Sequence, residues 1–375
     1  MAEQEYTQLV DVLATVPDPR KRRGQRYAWT VVLTLIVAAV VSGERHGRGI
    51  GQWVRERREV LCQRLDLGRV PSEATLRRAL QQVDPVQLTA AVAQAAARLS
   101  GEATSAPVGL AVDGKEVRGT GHHGVPCFLV GLVRHDGLIL DQEAAPGKLQ
   151  EAAAVRTLLV RHPLHGEVIT ADALLAERPL ARQIRAAGGH YFVVIKDNQP
   201  LTVQAIADLF AQHSGLADER AAVSQRAVTY DKGHGRVETR TLEASPSLNA
   251  WLDWPEVGQV LKRTTRRLSV ATGEVTEEVT YALTSLTPEQ ADAATLERLW
   301  RGHWTIENRV HYVRDVSFGE DAGQAYRGQT AHALATVRNA ILNLFRQHGW
   351  TRIPDALRHY AAHLDETLNL IGVRS

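Results

Sequence analysis

The sequence predicts an α/β protein: an all-helical first part, then a ribbon of short strands and crossover helices, then a β-rich stretch, then helices to the end. Three observations predict it. Apolar residues recur at helical spacing up to about residue 100. Between about 108 and 198, short β-branched runs alternate with helical patterns in the order β-β-β-α-β-α-β. Past residue 287 the helical period returns. The expected boundaries are 1–100, 101–200, 201–295 and 296–375, and a chain of 375 residues has room for two or three domains.

The helical part begins with "YTQLVDVLATV", a short amphipathic helix stopped by "PDPR". "YAWTVVLTLIVAAVVSG", 27–43, is almost uncharged. It is short for a membrane span, carries threonines and has positive charge on both flanks, so it reads as a helix buried on all sides. "GIGQWVRERREVLCQRL" is a helix with arginines on its exposed positions. "VPSEATLRRALQQVD" follows, with Ser72 or Thr75 as its cap. "PVQLTAAVAQAAARL" is alanine-rich helix, and "SGEATSAP", 100–107, reads as a linker.

In the next part "VGLAVDG" reads as a strand with Asp113 near its end and Asp-Gly as a hairpin signal. "CFLVGLVR", the tight turn "HDG" and "LILDQEA" complete an antiparallel meander. "KLQEAAAVRTLLVRH" is a helix, "GEVITADA" a strand ending at Asp172, "LAERPLARQIRAAGG" a helix closed by Gly188 and Gly189, and "HYFVVIKDN" a strand. A right-handed crossover that returns beside the first strand makes Asp113 and Asp172 neighbours near the carboxyl ends of parallel strands, where ligands bind. A ribonuclease-H-like core has this order. Residues 201–295 then read as a helix, "LTVQAIADLFAQH", and a β-rich insertion.

The last part, "TPEQADAATLERLWRGHWTIENRVHYVRDV", has helix-start signals at Thr287 and Pro288. At 3.6 residues per turn, Trp300, His303, Glu307, His311 and Arg314 fall within roughly 40° of one line. Leu299, Ile306, Val310 and Val313 fall on a stripe about 90° away. One face packs, and the next presents a carboxylate flanked by imidazoles and a guanidinium. Two-metal phosphoryl transfer needs carboxylates that hold hard cations through oxygen, and Asp113, Asp172 and Glu307 supply them. Asp136 reads as a turn residue, and Asp315, Glu320 and Asp321 are rival acids ranked lower.

These blocks carry a resemblance. "VDGKEVRG", "TADALLAE", "GGHYFVVIKDNQPLT", "KGHGRVETR" and "RGHWTIENRVHYVRDVSFGED", in this order, resemble insertion-sequence transposases of the DDE superfamily, in the H-repeat-associated, ISAs-type group. "DPRKRRGQRYAWTVVLTLIVAAVVSGERHGRGIGQWV" and "VPSEATLRRAL" resemble the group's helical, DNA-binding N-terminal domain. The resemblance implies that Asp113, Asp172 and Glu307 are the catalytic and metal-binding trio, with two Mg2+ ions that Mn2+ can replace. Related enzymes carry a Tyr-x2-Arg-x3-Glu-x6-Lys pattern; here Trp300, His303, Glu307 and Arg314 stand at those positions, and Glu177 stands where glutamine is common.

The resemblance implies binding of terminal inverted repeats and target DNA, metal-dependent strand cleavage and strand transfer, a homodimer on DNA, and a cytoplasmic, nucleoid-associated place in a bacterium. An inactive DNA-binding descendant, or a nuclease without strand transfer, is the alternative. Candidate DNA contacts are Lys115, Lys196, Asn198, His234, Arg236, His303, His311 and Arg314. A solvated hairpin lysine is an equally open reading for Lys115, and a strand-capping "KDNQ" is the less favoured reading for Lys196 with Asn198. Net charge is only +2. The basic character is local, in "RKRRGQR", "RERR", "KGHGRVETR" and "KRTTRR", which can meet phosphates or solvent. Cys62 and Cys127 stand in unrelated contexts, and a reducing compartment fits.

Overall fold

A computed structural model describes residues 8–99, 107–120, 126–147, 150–212, 225–323, 325 and 327–373. Helices α1 Leu9–Ala14, α2 Trp29–Val41, α3 Gly47–Glu56, α4 Arg58–Arg64, α5 Glu73–Gln82 and α6 Pro85–Arg98 come first. Strands β1 Gly109–Val117, β2 Cys127–Arg134 and β3 Ile139–Ala145 precede α7 Glu151–Arg161, β4 Val168–Ala171, α8 Arg178–Ala186, β5 His190–Ile195 and α9 Pro200–Gln212. Strands β6 Gln225–Gly233, β7 Arg236–Ser245, β8 Gln259–Ser269 and β9 Val275–Thr284 follow. The chain closes with α10 Ala293–Gly302, α11 Trp304–Ile306, a π turn Glu307–His311, α12 Tyr312–Val316, α13 Thr330–Gln347, α14 Ile353–Ala362 and α15 Leu364–Ile371.

One nine-stranded sheet, ordered β3-β2-β1-β4-β5-β9-β8-β7-β6, runs through the molecule. β1, β4 and β5 are parallel; β2 and β3 extend the sheet antiparallel on one side, and β9 to β6 on the other. Alternation along β1 divides its side chains between two layers. Leu110 and Val112 pack with Val155 and Leu158 of α7 and Ile184 of α8. Ala111 packs on the opposite face, with Ile306 and Val310. Asp113 shares that second face by parity, and so do Thr170 and Asp172, in phase with Val168.

The α2 helix is buried almost all round, as its uncharged sequence suggests, and Ser72 rather than Thr75 caps α5. No described helix is long and apolar enough to cross a membrane. The first helices do not keep a core of their own: Leu35, Ile50 and Leu76 share one apolar cluster with Ile341, Phe345 and Leu368 from α13 and α15. The expected linker at 100–107 lies almost wholly outside the described residues.

Two local expectations are corrected. The Asp-Gly at 113–114 is not a hairpin, because β1 runs on to Val117, paired to β2 without a break from Leu110↔Arg134 to Val117↔Cys127. What ends near Asp113 is only the parallel pairing with β4, whose last pair is Ala111↔Thr170. Continuous hydrogen bonding on one side outweighs the turn preference of the dipeptide. The terminal helical region begins not at Thr287 but at Ala293, where the Asp292 carboxylate accepts from the Thr295 N–H at 2.8 Å.

Candidate active site

The β1–β4 register brings the two aspartates together. Ala111 faces Thr170, so two residues farther Asp113 and Asp172 occupy equivalent places, just past the last parallel pair. Asp172 leaves β4 directly into a short 3-10 turn, where its Oδ1 accepts from the Leu174 N–H at 2.9 Å. The Asp113 Oδ1 accepts from the Gly114 N–H at 2.9 Å. Gly131, opposite Asp113 on β2, faces helix α11: a Cβ there would lie 3.4 Å from Ile306 Cδ1, in ordinary van der Waals contact.

Ile306 is the last residue of α11, and Glu307 begins the π turn. A π turn holds more residues than an α turn and recurs at functional sites. Here it sets His311 under Glu307, with Nδ1 3.0 Å from Glu307 Oε2 and 3.5 Å from Asp113 Oδ2. The ligand atoms of Asp113, Glu307 and His311 all lie within 4.8 Å of one another.

The electrostatics of this pocket are negative and unbalanced. Burial pushes the Asp113 carboxyl up to about 7, helped by the neighbouring Asp172 and, more weakly, by Glu307 and Glu151. The hydrogen bond from His311 holds Glu307 below the usual carboxylate range, against its partial burial. Burial lowers the pKa of His311, so the ring is neutral near pH 7 and its Nδ1–H donates to Glu307 as a hydrogen bond. A second imidazole lies beneath Asp172. His303 Nδ1 is 3.3 Å from Thr170 Oγ1, and His135 Nε2 meets the same hydroxyl at 3.0 Å. Burial lowers the pKa of both rings.

The remaining sequence candidates divide sharply. Lys115, two residues along from Asp113, is buried and bound to Asp315 at 2.6 Å and Asp321 at 3.5 Å. It is neither a solvated hairpin lysine nor open to a phosphate. Arg314, 3% exposed, sits 2.7 Å from Glu320, which also holds Arg338 at 2.8 Å. That pairing corrects the reading of Arg314 as a DNA contact. Trp300 also leaves its expected polar line. It is buried edge-on against Phe192 at 5.4 Å, with the Arg263 guanidinium 4.1 Å from its ring, because the helix breaks phase between α10 and the π turn.

The Asn198 amide donates to the carbonyl of Ala173, at 2.7 Å, and so ties the loop after β5 to the turn that follows Asp172. Lys196 beside it is exposed. His234 has a positive φ of 50° in the β6–β7 turn, and Arg236 pairs with Glu238 at 2.6 Å. That hairpin is four strands away from β4, roughly 20 Å at ~4.8 Å per strand. The structure therefore gathers Asp113, Asp172, Glu307, His303 and His311, and leaves His234 and Arg236 at the far end of the sheet. Thr170 and His135 were missed. Thr170 could have been found, since it precedes Asp172 by two and so shares its face.

A model of the "Transposase DDE domain" matches residues 104–344, and a "DDE_Tnp_1-associated" model matches residues 10–95. The chain belongs to the DDE transposase family. Among relatives of this transposase chain, the "Putative transposase YncI" of Escherichia coli O157:H7 is 26% identical over 90% of this chain and 87% of its own. The "H repeat-associated putative transposase YhhI" of Escherichia coli strain K12 is 23% identical over 91% and 90%. A cryo-EM structure of the piggyBac transposase synaptic complex with hairpin DNA aligns over 98% of this chain and 79% of that one, at 10% identity and a TM-score of 0.47.

Proposed function

We propose that this chain is an insertion-sequence transposase that binds the terminal inverted repeats of its element, cleaves the DNA strand at the ends and joins the freed 3′-hydroxyls to target DNA. One observation carries the reading. Asp113 and Glu307 share one ligand cluster with His311, Asp172 stands beside Asp113 just past the end of β4, and none of the three carboxylates is in an ion pair with a lysine or arginine among the described residues. The raised Asp113 carboxyl fits a site awaiting positive charge. Its donors are mostly hard oxygens, which suit Mg2+ or Mn2+.

In this reading Asp113, Asp172 and Glu307 hold two divalent cations. When bound, those cations supply the charge that activates the attacking hydroxyl and stabilises the leaving oxygen. His311 positions Glu307 through its Nδ1–H, and Thr170 orients His303 beneath Asp172. The core from β1 to β5 is ribonuclease-H-like, supported by the order β3-β2-β1-β4-β5 with β1, β4 and β5 parallel, and β6 to β9 are its insertion. Two ends must be held at once, so the active species on DNA is a homodimer. The work is done in the bacterial cytoplasm.

The test is an assay with labelled terminal repeats, Mg2+ and a target plasmid. Joined ends are expected. Cleaved ends alone would mean a nuclease without strand transfer, and bound but intact ends would mean a DNA-binding protein without chemistry.

A further inference from the structure

Two histidines and a glutamate meet where α14 turns into α15. His359 lies in the last turn of α14, His363 at the junction and Glu366 in the first turn of α15. The spacing i, i+4 puts the two imidazoles on one face, and their rings stack at 4.5 Å. The His359 Nε2–H donates to Glu366 Oε2 at 2.8 Å. One ligand atom from each of the three residues lies within 4.8 Å of the other two. His363 and Glu366 are exposed and His359 is half-buried, so a solvated cation can reach the cluster.

The fold sets these groups in advance. The His363 Nδ1–H donates to the His359 carbonyl at 2.8 Å. In the neutral ring that bond fixes the tautomer and leaves the Nε2 lone pair for a cation, which is how metal-bound histidines are oriented. The His359 ring rests on Trp350 at 5.2 Å and on Tyr360 at 5.0 Å. The Tyr360 hydroxyl accepts from the Trp350 Nε1–H at 3.3 Å, and its ring stacks on Phe345 of α13 at 5.4 Å. Nearby guanidiniums are committed elsewhere, Arg352 and Arg358 to Asp355, and Arg64 to Asp365. Glu366 is in no ion pair with a lysine or arginine among the described residues.

We propose that His359, His363 and Glu366 form a zinc site that bridges α14 and α15. Two imidazole nitrogens and one carboxylate oxygen suit Zn2+, whereas Mg2+ asks for oxygen throughout. Three protein ligands leave the fourth tetrahedral position to water. Ligand atoms about 2.0–2.1 Å from zinc stand roughly 3.4 Å apart, which small side-chain rotations at this exposed site reach. The cation takes the place of the proton that His359 Nε2 now donates, and the neutral ring keeps its proton on Nδ1. The bridge ties α14 to α15, whose Leu368 and Ile371 enter the core shared with α2. The site shares no residue with the Asp113 cluster and owes nothing to the chemistry proposed there.

The test is calorimetric titration of Zn2+ into the untagged full chain, stripped with EDTA, desalted and held in millimolar Mg2+. The double variant D113N/E307Q silences the acidic trio and should still bind one Zn2+ per chain. In that background His359→Gln, His363→Ala and Glu366→Gln should each weaken Zn2+ binding at least about tenfold, since even outer-shell partners of a bound metal are worth that much. His363 and Glu366 are exposed, so their variants keep the fold and the test stays decisive if His359→Gln does not. No Zn2+ binding by D113N/E307Q, or binding undiminished by His363→Ala or by Glu366→Gln, would overturn the proposal. Cleavage is not read, so the transposase reading stands or falls separately.

Discussion

Asp113 and Glu320 are both buried carboxyls, and their surroundings push them in opposite directions. Burial and the neighbouring Asp172 drive Asp113 up to about 7. Burial would raise Glu320 too, but the Arg314 and Arg338 guanidiniums outweigh it and bring the group down to about 2. One carboxyl lacks a cation and the other has two. The same division separates the open trio from the rival acids: Asp315 and Asp321 hold Lys115, while Glu307 has only an imidazole. Acids that the fold has already neutralised brace it, and the acids left without a cation are those proposed to hold metal.

The largest effect that would break this contrast is on chemistry. Glu307→Gln should lower cleavage of a labelled end on the order of 10³-fold, since it removes charge aimed at the reacting oxygens, while the urea midpoint stays within error. Retained cleavage would move the third carboxylate elsewhere. Glu320→Gln should do the reverse. It leaves two guanidiniums buried without their partner and should cost about 3–5 kcal/mol of stability by urea unfolding. A loss under about 1 kcal/mol would deny its role as a brace.

A smaller effect comes from metal. Mg2+ at about 100 times its Kd should stabilise the wild type by about 2.7 kcal/mol, and Asp172→Asn should forfeit most of that gain in a thermal scan. A pH effect of comparable size accompanies it. Metal-free, Asp113 titrates near 7 when folded and near 3.8 when unfolded. The folded state holds the extra proton between those values, so this group's contribution is full below about pH 4 and declines as pH rises to 7. Glu320 has the opposite sign: its contribution is present above 4.5 and is lost as pH falls towards 2. Asp113→Asn should flatten the stability profile between pH 4 and 7 and leave its acid limb unchanged.

Much of the fold was legible because strand and helix periods are local. "CFLVGLVR" is β2 residue for residue, and the expected return of the crossover beside the first strand is what sets Asp113 next to Asp172. The Asp-Gly hairpin failed because a turn preference is also local, and pairing to β2 overrode it. The fates of Lys115 and Arg314 could not be read at all. Their partners Asp315, Asp321 and Glu320 lie in the same chain region that supplies Glu307, and only the packed fold decides which acid takes which cation. A constant helical phase through residues 300–314 also misplaced Trp300, since sequence gives no sign of the π turn.

The most direct test of the claim that unneutralised acids are the working ones compares two single substitutions in the end-cleavage assay, Asp113→Asn and Asp315→Asn. Asp113→Asn should bind labelled ends as the wild type does and yield no cleaved product. Asp315→Asn, whose lysine keeps Asp321, should cleave within about tenfold of wild type. Undiminished cleavage by Asp113→Asn, or loss of cleavage confined to Asp315→Asn in a folded protein, would contradict the account.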